Sequence, residues 1–403
     1  MLFNIFLCAI GFYILSYAAD KLVEGASNLA LNFGVSKLAI GMTIVAAGTS
    51  LPEMVVSVNA SLKGNPELSL GNVVGSNIMN AAFILGIAAL IQPIACQKQT
   101  IRREVPIMIG GALLLWYTSY TDNIITPKEG LIFVAMFFAY IYLSYHWTKQ
   151  EGELPETLDE EIEETAENEE TKHSTVRNLL FITGGLIGLV VGSESLVRGA
   201  TFIARSIGVS DEVIGLTLIA IGTSLPELAT SIVAARKGHS EITLGNVVGS
   251  NIFNIFGIVG CASVVCSFNG IPGSEVLNVS NNMLGIHIPL MVVVSLSVLP
   301  IMSTGLKIVR AEGALLIAFY LVYNVILFQS SPQMQAPLNQ TRSNQDILLP
   351  SPTQPASATH NLHHTEKIDM PLSNNASESI ANIPKDQSAK DFKINNATQS
   401  LEP

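Results

Sequence analysis

Ten stretches of this chain are apolar for about the 18 to 25 residues that a bilayer crossing requires. They fall near residues 2–31, 36–62, 69–92, 104–120, 127–147, 176–206, 210–235, 243–267, 277–301 and 308–329. In hydrocarbon a segment must satisfy its own backbone N–H and C=O groups, so runs of this length are helices. The first and sixth exceed the membrane thickness and are expected to tilt. Composition agrees: 49% of residues are hydrophobic and 13% charged, against about 25% charged in soluble domains. The expected fold class is therefore all-α and integral to the membrane, with ten transmembrane helices.

The N-terminal run lacks a positive leading region and a clear cleavage site, so it reads as the first span rather than a signal peptide. The net charge of −11 is concentrated in the acidic block around Glu151–Glu170, which reads as a solvated linker. No basic stripe suggests nucleic-acid binding. The four cysteines, at 8, 96, 261 and 266, lie in or beside apolar runs without metal-ligand spacing. They read as small core residues. Beyond Gln329 the chain is rich in Ser, Asn, Gln and Pro, the composition of a disordered tail.

With the N-terminus outside, the cytoplasmic connections carry eleven Lys and Arg residues, from Lys37 to Arg310. The external ones carry Lys63, Lys128 and Arg205. That bias sets the orientation, with the acidic block cytoplasmic and the C-terminal tail outside. The expected organisation is a first five-helix repeat over 1–147, a cytoplasmic linker over 148–175, a second five-helix repeat over 176–329 and a polar tail over 330–403.

Residues 41–80 align without a gap on 215–254, with identity at 24 of 40 positions. The register extends back to Leu22, Val23, Gly25 and Ala26 against Leu196, Val197, Gly199 and Ala200. Five spans per half is an odd number, so the second half enters the membrane from the opposite side. The halves are thus inverted repeats, an arrangement that places substrate at the midplane where interrupted helices meet.

Both copies contain Gly-Thr-Ser-Leu-Pro-Glu, at 48–53 and 222–227. Proline inside a helix frees carbonyls of the preceding turn, here near Ala46, Ala47 and Gly48. An intramembrane carboxylate is by default functional. Thr49, Ser50 and Glu53 fall on one helical face, as do Thr223, Ser224 and Glu227. Freed carbonyls at Ala46 and Ala220 complete two all-oxygen nests that suit hard cations such as Ca²⁺ and Na⁺. Two glutamates close together require neutralisation at low dielectric, by one Ca²⁺ or by several Na⁺ or H⁺. An empty site is therefore disfavoured, which is a physical basis for exchange.

The following span carries Gly-Asn-Val-Val-Gly-Ser-Asn at 71–77 and 245–251. Glycines four apart permit close helix approach. Ser76 shares a face with Asn80, and Ser250 with Asn254. Asn72, Asn77, Asn246 and Asn251 either ligand ions or pin helix to helix.

The duplicated motif pair resembles the α-repeats of the sodium/calcium exchanger family, within the cation/calcium antiporter superfamily, and its prokaryotic members most. The resemblance is specific over 36–92 and 210–267 and looser over the other spans. It implies ten helices in two inverted halves, with ions bound between helices 2, 3, 7 and 8. It implies that Glu53 and Glu227 are central carboxylates shared by Ca²⁺ and Na⁺, with oxygens from Thr49, Ser50, Thr223 and Ser224. The carbonyls of Ala46 and Ala220 and the hydroxyls of Ser76 and Ser250 would complete outer sodium sites, with Asn80 and Asn254 as midplane ligands. Helices 1 and 6, with Gly25 and Gly199 in close contact, would form the moving pair. Some relatives carry Asp at the position of Asn254, and its absence counts against potassium co-transport.

The expected function is Ca²⁺/Na⁺ antiport by alternating access across the plasma membrane, a bacterial inner membrane. Ca²⁺/H⁺ antiport is the alternative, and the many hydroxyls favour sodium. A channel would use a symmetric oligomeric axis. No nucleophile–base constellation points to an enzyme, and no cofactor is expected beyond the transported ions. Membrane lipid is the expected surrounding, no nucleic acid is a partner, and a monomer suffices.

Overall fold

The computed structural model describes residues 1–150, 174–208 and 220–330. Residues 151–173 of the expected linker, 209–219 with the start of the seventh apolar run, and the polar tail from 331 lie outside the described residues. The described chain is almost entirely helical. Helix α1 is Leu2–Phe33. The second apolar run is broken into α2, Lys37–Thr49, and α3, Leu51–Leu62, bent by 44° at Ser50. Then follow α4 (Pro66–Ile91), α5 (Glu104–Asp122) and α6 (Pro127–Gln150). The second half contains α7 (Thr175–Ser206), the short α8 (Ala220–Thr223) and α9 (Leu225–Arg236). It ends with α10 (Ser240–Cys266), α11 (Met283–Ser303) and α12 (Arg310–Ser330).

Six of the described helices are long and apolar enough to cross a membrane, or seven with the bent pair α2–α3 counted as one span. Helix α5 is among those that fall short. Its C-terminal part carries Tyr117, Thr118, Ser119, Tyr120 and Asp122, residues of a membrane–water boundary.

Helices α4 and α10 form the centre, with 72% and 89% of their most apolar stretch buried, against 22% and 28% for α1 and α7. The outer faces of α1 and α7 expose Phe6, Phe12, Tyr13, Leu180, Ile187 and Val191. An apolar side chain facing outwards is at home in lipid, where it would be a liability in water.

α1 and α7 are repeat mates, and they lie antiparallel along their length. A methyl group at Gly199, Gly192 or Gly185 would come within 2.7, 3.0 and 2.9 Å of the carbonyls of Asn4, Gly11 and Ala18; one at Gly25 would come within 2.8 Å of that of Asn178. The pairs 4–199, 11–192, 18–185 and 25–178 keep one register seven residues apart, and each pair contains at least one glycine. A small residue on at least one side of each pair lets the backbones approach so closely. Gly25 and Gly199, expected at close contacts between these helices, are both in that seam.

Two short ribbons cross-link the halves. Strand β1 (Ile94–Ala95), after α4, pairs antiparallel with β4 (Lys307–Ile308), before α12. Strand β2 (Ile124–Ile125), after α5, pairs with β3 (Leu277–Asn278), before α11. Each of these two connections of one half thus closes on the reciprocal connection of the other. The ribbons stand at the two ends of α5, whose 19 residues span about 28 Å.

All four cysteines are free; Cys96 and Cys266 are buried, and Cys8 and Cys261 half-buried.

Candidate cation site

The two broken helices have one local geometry. Ser50 leaves the helical region at φ −85°, ψ 6°, and Ser224 does so at φ −90°, ψ 7°. In each copy the next helix starts one residue later with proline in its first turn. A proline there costs no hydrogen bond, because first-turn N–H groups have no intrahelical partner. The expectation that the proline orphans the carbonyl of Ala46 is therefore corrected. That carbonyl accepts from the Ser50 amide at 3.1 Å, and the Thr49 hydroxyl lies 3.3 Å from it. It also accepts from the Ser250 hydroxyl at 3.5 Å. The chain breaks at the serine, one turn before the glutamate, so Glu53 and Glu227 each stand in the first turn of a new helix. There the helix dipole favours a negative charge.

Glu53 and Glu227 are each 1% exposed. The Ser50 hydroxyl donates to Glu227 Oε1 at 2.9 Å, and the Ser224 hydroxyl donates to Glu53 Oε1 at 2.9 Å. Each carboxylate is thus gripped by the serine of the opposite half. The other oxygen of each, Glu53 Oε2 and Glu227 Oε2, is buried without a hydrogen-bond partner. A buried carboxylate oxygen in that condition calls for a cation or a proton.

A second reciprocal pair surrounds the first. The Asn72 side-chain N–H groups donate to the Glu53 carbonyl at 3.2 Å and to Ser57 Oγ at 3.0 Å. Asn246 donates to the Glu227 carbonyl at 3.2 Å and to Ser231 Oγ at 3.0 Å. Their carbonyl oxygens reach across: Thr49 donates to Asn246 Oδ1 at 3.1 Å, and Thr223 to Asn72 Oδ1 at 3.4 Å. The two readings of Asn72 and Asn246 resolve in favour of cross-repeat pins. Ser57 and Ser231 escaped the sequence reading, although both follow their glutamate by four residues in identical positions.

Ser76 donates to the Asn72 carbonyl at 2.8 Å, and the Ser224 hydroxyl lies 3.4 Å from it. The expected residues Ala46, Thr49, Ser50, Glu53, Ser76, Thr223, Ser224, Glu227 and Ser250 are therefore joined through a few shared hydrogen bonds. Ala220 begins α8, three residues before Thr223, which ends it. Asn80 and Asn254 are buried and are not bonded to either glutamate. Both Asn80 polar atoms and Asn254 Oδ1 lack partners. Both asparagines stand in widened helical turns, Met79–Ile84 and Phe253–Val259, a deformation frequent at functional sites.

A membrane-embedded helical bundle with a buried, all-oxygen, anionic centre shared by two sequence repeats defines a cation transporter. Comparison with known proteins agrees. The family model described as sodium/calcium exchanger protein matches residues 3–146 and 177–329. A putative antiporter, CaxA, of Alkalimonas amylolytica is 38% identical over 325 residues, covering 80% of this chain and 97% of its own. The sodium/calcium exchanger MaX1 of Methanosarcina acetivorans is 33% identical, covering 81% and 98%. A solved structure of the sodium-calcium exchanger NCX_Mj superposes with a TM-score of 0.67 at 31% identity, over 80% of this chain and 98% of its own. The chain belongs to the sodium/calcium exchanger family, a family of membrane antiporters rather than enzymes.

Proposed function

We propose that this protein exchanges Na⁺ for Ca²⁺ by alternating access, Na⁺ entry driving Ca²⁺ out across a bacterial inner membrane. The observation that carries the reading is the pair of buried, partnerless oxygens on Glu53 and Glu227, each glutamate held by a serine of the opposite repeat. Two carboxylates match the charge of one Ca²⁺. The surrounding hydroxyls, carbonyls and amides suit Na⁺ when Ca²⁺ leaves. In this reading Thr49, Ser50, Thr223 and Ser224 furnish oxygens to the central ions. Ala46, Ala220, Ser76 and Ser250 complete outer sodium positions, and Asn80 and Asn254 serve at the midplane. The names of MaX1 and NCX_Mj support sodium and calcium as the pair.

The topology that goes with this function has ten spans in two inverted halves, 1–147 and 176–329. The N-terminus and the 330–403 tail are outside, and the 148–175 linker is cytoplasmic. The antiparallel α1–α7 seam and the reciprocal ribbons support the inversion. The positive-inside bias supports the orientation, and the name of a relative, the Escherichia coli inner membrane protein YrbG, supports the location.

The test is ⁴⁵Ca uptake into proteoliposomes with an imposed Na⁺ gradient and clamped pH. Uptake that follows the Na⁺ gradient is expected. Uptake driven by a pH gradient and not by Na⁺ would replace this reading with Ca²⁺/H⁺ exchange.

A further inference from the structure

Two buried asparagines are not accounted for by the site above. Asn77 on α4 donates its side-chain N–H to Met291 Sδ on α11 at 3.6 Å. Asn251 on α10 donates to Met108 Sδ on α5 at 3.5 Å. Asn77 and Asn251 are repeat mates, and in each case the sulfur comes from the opposite half. Asn77, Asn251 and Met108 are 1% exposed and Met291 0%, so no water competes for these N–H groups.

A thioether only accepts. It therefore fixes which end of the amide faces it: the N–H group turns to the sulfur, and Oδ1 turns away. Asn77 Oδ1 accepts from the Asn254 side-chain N–H at 3.2 Å. With its N–H group so engaged, Asn254 is left with a buried, partnerless Oδ1. In the other half Asn251 Oδ1 and both polar atoms of Asn80 are buried and partnerless. A carboxamide turned the wrong way would offer a cation its partially positive N–H instead of its oxygen.

We propose that Asn77 is a positioning residue, oriented by the thioether of Met291, that turns the amide oxygen of Asn254 towards the transported cation. The proposal rests on the cation-site reading above. A purely structural pin between helices would affect stability and leave cation affinity alone.

The decisive variant is Met291→Leu, which conserves volume and removes the acceptor. It is expected to raise the KM for the transported cation about 10-fold, the lower end of what outer-shell partners of metal ligands contribute. Maximal rate and melting temperature should hold. In an Asn254→Ala background the same substitution should add nothing, because the oxygen it orients is gone. Met291→Gln, which restores an acceptor of similar reach, should recover most of the loss. An unchanged KM in Met291→Leu, or an equal rise with and without Asn254, overturns the proposal. Should Met291→Leu fail to fold, Asn77→Ala makes the same test: the same rise in KM is expected, and an unchanged KM or an equal rise in the Asn254→Ala background overturns the proposal.

Equilibrium Ca²⁺ binding to the purified full chain separates this proposal from the exchange reading. Wild-type protein that binds Ca²⁺ without Na⁺-driven uptake sinks the exchange reading alone. Equal binding by wild type and Met291→Leu sinks this one alone, and a wild type that binds no cation sinks both.

Discussion

The two repeats agree at the centre and differ at the rim. Around Glu53 and Glu227 three reciprocal sets are matched, Ser50 with Ser224, Thr49 with Thr223 and Asn72 with Asn246, while one step out Ser76 donates to the Asn72 carbonyl and its mate Ser250 to that of Ala46. At the rim the mates part. Asp20 on α1 bridges to Lys237 beyond α9 at 2.6 Å. Its mate Glu194 pairs instead with Arg198 on its own helix, although Lys63 occupies the position equivalent to Lys237. α1 packs along α9, burying Val23 against Ala234 and Ile242. The corresponding face of α3 stays open, with Leu51, Val55 and Leu62 exposed. Beside the covered helix, a cavity of about 490 Å³ is lined by Leu15, Asp20, Leu196, Leu228 and Lys237 among others. Matching local sequence therefore reproduces the inner hydrogen bonds, while the outer contacts report which side of the bundle the α1–α7 pair leans on.

The largest expected effect probes the symmetric centre. Glu53→Gln and Glu227→Gln should each abolish Na⁺-driven ⁴⁵Ca uptake, a loss beyond the 10- to 100-fold typical of outer-shell partners, while both proteins remain monodisperse. Wild-type transport in either would remove the site assignment, and a large difference between them would break the equivalence of the halves.

Next come the serines that grip them. Ser50→Ala and Ser224→Ala each remove a hydrogen bond to a carboxylate, of the kind that contributes about 1.5–3 kcal/mol. About a 10-fold or larger drop in uptake is expected, matched between the two. Unequal drops would show that the site is skewed like the rim.

The α1–α7 seam gives a smaller effect, in stability. Gly192→Ala places a methyl group within 2.7 Å of the Leu15 amide nitrogen, so it should destabilise by about 1–3 kcal/mol. Gly184→Ala, on the same helix with nothing within 4 Å, should be neutral or stabilising by up to about 1 kcal/mol. Thermal unfolding in detergent measures both, and equal shifts would disprove the seam.

Smallest is the rim itself. Asp20→Asn breaks an ion pair that is more than a third exposed and should cost at most about 1 kcal/mol in the same melting experiment. Glu194→Gln should cost no more. A loss of several kcal/mol from Asp20→Asn would mean that the pair is buried and structural.

Much of this was readable in the residues. The apolar runs locate the helices within a few positions, since a lipid-embedded backbone has no other way to satisfy itself. The break at Gly-Thr-Ser-Leu-Pro-Glu was legible, but its mechanism was not. Proline suggested orphaned carbonyls, whereas the helix restarts at Leu51 and Leu225 and the Ala46 carbonyl keeps its bond from the Ser50 amide. Asn72 and Asn246 could be ligands or pins, with packing the favoured reading. Only their bonds to the glutamate carbonyls decided it, because an amide's role depends on which partner each end meets. Met108 and Met291 carried no signal, since a methionine in an apolar run is ordinarily core.

The sequence by itself determined that the chain lives in a membrane, that it is built twice, and that each copy carries one acid behind a helix break. Those properties follow from composition, spacing and backbone chemistry, which act within a segment. The tertiary structure decided which serine holds which glutamate, that the partners are exchanged between halves, and that one half's rim is closed while the other's is open. Contacts 171 and 177 positions apart in the chain depend on how helices pack, and two copies of one local sequence can satisfy the same bonds within themselves or across to each other.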